Sequence, residues 1–189
     1  MSTQMESWPR RHRITVHEYH RMAEVGLLAP DARVELIEGE IIDMAPIVRD
    51  HQSIVDQLNR MMILAVGDRA IVRTQGSVRL SEFSEPQPDV VLLKPRDDFY
   101  RSAFATGADT FLVLEVSDST LRYGRDKKTP FYARHGIPEV WIVDVGHNLL
   151  LRYGEPVDGA YRQQSAERAG TIALPGLAGV AIDFTAIWA

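Results

Sequence analysis

The spacing of apolar residues changes period several times along the chain, and each change predicts an element. Ile54, Val55, Leu58, Met61, Met62 and Ala65 recur at i, i+1, i+4, i+7, i+8 and i+11, which places them on one face of a helix. Asp50 stands before this run as an N-cap and Gly67 follows it as a stop. An earlier helix is predicted over Thr15 to Val25, where Thr15 and Glu18 have capping-box spacing and Gly26 ends the pattern. Arg33 to Met44 reads as two short strands turning at Glu38-Gly39. Ala70 to Leu80 reads as a strand with Val72, Thr74, Val78 and Leu80 on one face. Asp89 to Leu93 and Phe111 to Val116 are continuous apolar, β-branched runs, the mark of central strands covered on both sides. Arg125 to His135 predicts a helix in which Pro130 must lie in the first turn or force a kink; Gly136 ends it and Pro138 lies just beyond. Val140 to Val145 is the next strand, and the glycine-punctuated remainder reads as hairpins and a short terminal turn.

From residue 50 onward the order is helix, three strands, helix, strand. A mixed sheet with helices on its faces is the simplest way to pack it, which makes the class α/β. The length of 189 residues fits a single domain over 1–189. Within it, 1–14 reads as a flexible arm and 50–145 as the core. Composition narrows the chemistry. There is no Cys, so a thiol nucleophile, a Cys zinc site and a disulfide framework are excluded, and a reducing cytoplasm is the expected compartment. Apolar runs such as Met61 to Val66 are too short to span a bilayer, and the N-terminus lacks the apolar segment of a signal peptide. A net charge of −5 argues against a broad electrostatic grip on nucleic acid. A cluster of metal-binding carboxylates would lower net charge by itself, so a nucleic-acid enzyme stays open. Arg10, Arg11, His12 and Arg13 read as a solvated arm.

Two carboxylates interrupt the apolar strands. Asp89 opens one and Glu115 lies inside another, where Leu112, Val113, Leu114 and Val116 leave it no polar face. A buried carboxylate costs several kcal/mol unless its charge is compensated. Taken singly, Asp89 could satisfy loop amides at a strand start, and Glu115 could face water. Neighbouring strands lie about 4.8 Å apart, so two such acids can also meet at one divalent cation, which takes oxygen ligands and keeps several waters.

"QPDVVLL", "LVLEVSDSTLRY", "KTPFYARHGIPEVWIVD" and the earlier "VELIEGEIIDMAP" with His51 resemble the Uma-two family of restriction endonucleases, a branch of the PD-(D/E)XK nuclease superfamily. The resemblance covers roughly Thr15 to Asp144. It implies a restriction endonuclease-like core with a mixed central sheet flanked by helices, joined here by an N-terminal helix and hairpin and by C-terminal strands. It implies an Mg²⁺- or Mn²⁺-dependent endonuclease acting on DNA phosphodiester bonds, with Asp89, Glu115 and the Val116 carbonyl on the metal. The motif's Lys is replaced at its usual place by Ser117, and the resemblance moves it to Lys128, four residues before Tyr132. Family members carry an Asp four residues before this Lys, where this chain has Gly124, with Asp126 displaced by two.

The resemblance also makes His51 a further metal ligand and lets Glu35, Ser117 and Lys127 line the site. Helix phase alone does not separate Lys127 from Lys128, because each has an aromatic at i+4. His17 and His20 have helical spacing but no partner in the sequence that would make a zinc site, and they read as helix surface. The expected partners are a DNA substrate and a second copy in a homodimer, with no membrane and no nucleotide cofactor, since no Walker or GxGxxG motif occurs. The alternative is a weakly active or inactive nuclease-fold protein that binds nucleic acid or a partner.

Overall fold

A computed structural model describes residues 11–117 and 123–188. Its centre is a six-stranded mixed sheet. The strands are β3 (Ile71–Thr74), β4 (Val90–Leu93), β5 (Thr110–Ser117), β6 (Glu139–Asp144), β7 (Leu149–Val157) and β8 (Ala160–Glu167), side by side in that order. Only β5 and β6 run parallel; the other neighbours are antiparallel. That parallel pair needs a crossover, and α3 (Thr129–Arg134) provides it. On one face lies α2 (Arg49–Val66), whose Ile54, Leu58 and Met62 pack with Val90, Leu92, Leu112, Leu114 and Trp141. A small hairpin of β9 (Thr171–Ala173) and β10 (Ala181–Asp183) and a terminal turn over Phe184–Trp188 close the same core. On the other face α3 sets Phe131, Tyr132 and Ala133 against Val91, Val113, Val140 and Ile142. Covered on both sides, β4 is apolar at every position, and all four of its residues are buried.

At the N-terminus, α1 (Val16–Glu24) carries the expected capping box between Thr15 and Glu18. The hairpin of β1 (Val34–Ile37) and β2 (Glu40–Asp43) turns at Glu38 and Gly39, both with positive φ, the conformation a two-residue hairpin turn requires. The hairpin docks on the main body where Leu36 and Glu85 exchange backbone hydrogen bonds.

Three expectations need correction. The strand from Ala70 to Leu80 stops at Thr74, because Gln75 turns to a φ of 48°. Beyond that break Val72 belongs to the α2 side, whereas Val78 and Leu80 belong to the α3 side. Asp50 is not the N-cap of α2. Val48 holds that position without a side-chain cap, and Asp50 lies in the first turn. The helix expected over Arg125 to His135 is divided: Gly124–Lys128 forms a wide turn in which the Thr129 N–H reaches the Gly124 carbonyl, and regular helix starts only at Thr129. Pro130 then falls in the first turn of the regular part, where its missing N–H removes no helical bond.

Candidate active site

The strand ends decide what meets where. β4 begins at Val90 and pairs Val90 with Leu114, so the β4 ladder stops short of Glu115 and Val116. The Ser117 carbonyl faces the β6 side, where it accepts from the Val145 N–H. Val116, one residue earlier, therefore turns its N–H and C=O the other way, into the gap beyond β4. Asp89 fills that gap, and its Oδ2 accepts from the Val116 N–H at 2.8 Å. Its other oxygen faces His51 Nε2 at 3.2 Å, brought there by the first turn of α2. The hydrogen bond to Asp89 holds the imidazole above its ordinary pKa against the opposing effect of burial. His51 Nδ1 is buried with no hydrogen-bond partner among the described residues.

Glu115 shares the sheet face of Val113 and points at α3. Its Oε1 accepts from the Tyr132 hydroxyl at 2.7 Å and from the Lys128 ammonium at 3.1 Å. The same ammonium lies 3.1 Å from Oε1 of Glu35, on β1, whose Oε2 accepts from the Gln87 N–H at 3.2 Å. Glu35, Asp89, Glu115 and Lys128 are all buried. Burial pushes the Glu115 carboxyl up to about 7, with Lys128 pulling it down and Asp89 and Glu35 pushing it further up. Burial works against the Lys128 charge, but Glu115 and Glu35 outweigh it and hold the ammonium above its usual value. Tyr132 is pushed well up, first by burial and then by the same carboxylates, so it remains a donor.

Glu35, His51, Asp89, Glu115, Val116 and Lys128 line one cavity of about 460 Å³, together with Ser117 and Gly124. Lys127 is exposed, although it is next in sequence to the buried Lys128. Asp126 is turned to solvent and pairs with Arg125 at 2.7 Å. The structure therefore gathers Glu35, His51, Asp89, Glu115, Val116, Ser117 and Lys128, and it leaves Lys127 outside. Among the described residues no three His, Asp or Glu side chains form a metal-holding group by themselves. His20 departs from the sequence reading: it is partly buried, and its Nε2 lies 2.8 Å from Glu85, one residue type the sequence could not place beside it. Sequence reasoning missed Tyr132 as a site residue, though its spacing of four from Lys128 was the available signal. It also missed Arg33, Tyr123 and the apolar wall of Ile42 and Met44 to Val48, which carry no chemical signature.

A sequence model of the Uma2 family, described as "Putative restriction endonuclease", matches residues 16–185. Among solved structures, this chain resembles a crystal structure of a putative nuclease belonging to DUF820 from Anabaena variabilis. The identity is 16%, the match covers 93% of this chain and 97% of that one, and the TM-score is 0.68. No curated protein matches the chain.

Proposed function

The chain belongs to the Uma2 family, and from that premise we propose that it is a metal-dependent nuclease hydrolysing DNA phosphodiester bonds at the Asp89–Glu115 site. The observation that carries the reading is the convergence of Asp89, Glu115 and the inward-turned Val116 backbone on one cavity beside a buried lysine. The donor set fits a hard divalent cation: carboxylate oxygen from Asp89 and Glu115, a carbonyl from Val116, and the His51 imidazole, whose buried Nδ1 has no partner among the described residues. Bound Mg²⁺ or Mn²⁺ supplies a hydroxide-like water near neutral pH and offsets charge on the phosphoryl oxygens.

The chain's own residues have separable tasks in this reading. His51 and the Val116 N–H fix the two Asp89 oxygens, so that carboxylate cannot rotate. Tyr132 fixes Glu115 through Oε1. When Glu115 takes a proton, the proton sits on Oε2, because Oε1 already accepts from Lys128 and Tyr132. Lys128 remains an ammonium through the neutral range and so cannot act as a general base. Its task is preorganised positive charge beside the attacked phosphate.

A second reading, a nuclease-fold protein that binds nucleic acid without cutting it, has one observation in its favour: Asp89 and Glu115 both have partners within the chain. Calorimetric titration with Mn²⁺, paired with a cleavage assay, separates the two. Under the nuclease reading the parent binds Mn²⁺ and cuts DNA, while Asp89→Asn and Glu115→Gln lose both. Mn²⁺ affinity unchanged in the two variants would overturn it.

A further inference from the structure

The cavity has a second character besides its acids. One wall is made of Ile42, Met44, Ala45, Pro46, Ile47 and Val48, from the end of β2 and the segment leading into α2. Ala45, Pro46, Ile47 and Val48 stay open to solvent in the free protein, with Ile47 38% and Val48 49% exposed. Val48 also occupies the N-cap of an 18-residue helix with no side-chain hydrogen bond, a position where Ser, Thr, Asp or Asn would stabilise the helix. An apolar surface is thus kept at the mouth of a polar site at a cost in helix stability. Arg33 lies at the same wall, its guanidinium donating to the Ala45 carbonyl at 2.6 Å.

We infer that this wall receives the unstacked base of a single unpaired nucleotide, so that the substrate is a DNA strand with an unpaired, flapped or terminal nucleotide and not an intact duplex; this rests on the nuclease reading above. Intact duplex hides its base faces in the stack and offers phosphates and groove edges, none of which gains from an apolar wall. An unpaired base offers a flat apolar face that can pack against such a wall with little sequence preference. Charge points the same way. A net charge of −5 gives the protein no overall electrostatic attraction for the phosphates of a duplex. The cations the cavity does have, Lys128 and Arg33, suffice for one nucleotide's phosphate next to a metal ion, and 460 Å³ is in the range of a small-ligand pocket.

The test measures fluorescence anisotropy in Mn²⁺ with three labelled DNAs of one sequence: a single strand, a blunt hairpin duplex, and that duplex bearing a short unpaired flap. Phosphorothioate linkages prevent turnover. The strand and the flap should bind at least tenfold more tightly than the blunt duplex. Ile47→Asp should remove that preference, while Ile47→Tyr should keep or strengthen it. Both variants should retain the parent's melting temperature and calorimetric Mn²⁺ affinity, since Ile47 is exposed and ligates nothing. Equal or tighter binding of the blunt duplex, or an unchanged preference in Ile47→Asp, overturns the inference. Mn²⁺ binding that depends on Asp89 and Glu115, found without a preference for the strand, would sink the inference and leave the nuclease reading standing. A strand preference found without such Mn²⁺ binding would overturn the nuclease reading, and with it the inference that the bound strand is a substrate.

Discussion

Glu115 and Lys128 set the behaviour of the site residue by residue. A carboxyl raised to about 7 in the folded chain binds its proton more tightly than in the unfolded chain, where the ordinary value is 4.5. Its contribution to stability is therefore full below about pH 4.5 and is lost as pH rises through about 7. In chelator, the parent should lose about 2 kcal/mol between pH 5 and 8 that Glu115→Gln does not lose, measured as the difference in urea unfolding free energy across that range. Parallel pH profiles for the two proteins would contradict the raised carboxyl. Lys128 has the opposite sensitivity. Lys128→Met leaves Glu35 and Glu115 buried without their cation, so it should destabilise by about 3–5 kcal/mol at pH 8 and by less at pH 5. This goes beyond a loss of turnover, and urea unfolding at the two pH values checks it. The sequence revealed the acids here because a carboxylate inside an apolar run is conspicuous. It could not reveal that Lys128 is shared with Glu35, because that pairing depends on where a separate hairpin docks.

Among the elements, those with a strong period were legible and those set by a local backbone choice were not. α2 and the central strands follow from apolar spacing, and α1 from Thr15 and Glu18. The break after Thr74 rests on one left-handed residue, Gln75, whose side chain gives no warning of it. The wide turn before α3 leaves Pro130 in the first turn of the regular helix; the conflict between Pro130 and one long helix was readable from sequence, its solution was not. Val48 is the plainest miss, since N-cap statistics point to Asp50 and the chain places an apolar residue at the cap instead. Val48→Ser should raise stability by about 1 kcal/mol, read as a shift in the urea midpoint at unchanged slope. No gain would mean that the apolar contact at Val48 is worth as much as the missing cap.

For the whole molecule, the resemblance in sequence and the likeness of fold agree over nearly the full chain, and the mixed sheet expected from element order is the one found. What the order could not supply is the company kept by the N-terminal hairpin, which lies outside the core expected over 50–145 yet contributes Glu35, with the adjoining Arg33, to the cavity. Overall charge gives a further expectation. A protein that grips a strand by one stacked base and few phosphates should have a shallow salt dependence. A log–log slope of magnitude below about 3 between 50 and 200 mM salt, by anisotropy with single-stranded DNA, is expected. A steep slope would indicate a long phosphate track.

The scattered origin of the cavity has a consequence for how the protein comes to life. Its polar groups arrive on β1, α2, the approach to β4, β5 and the turn before α3, and each is held by a partner from another of these segments. Contacts distant in sequence close late, after loop entropy has been spent and the sheet has been zipped. A growing or half-collapsed chain can therefore hold its helices and still lack the assembled cavity. Under the proposed nuclease reading, a chain whose N-terminal hairpin has not docked is harmless to the DNA around it.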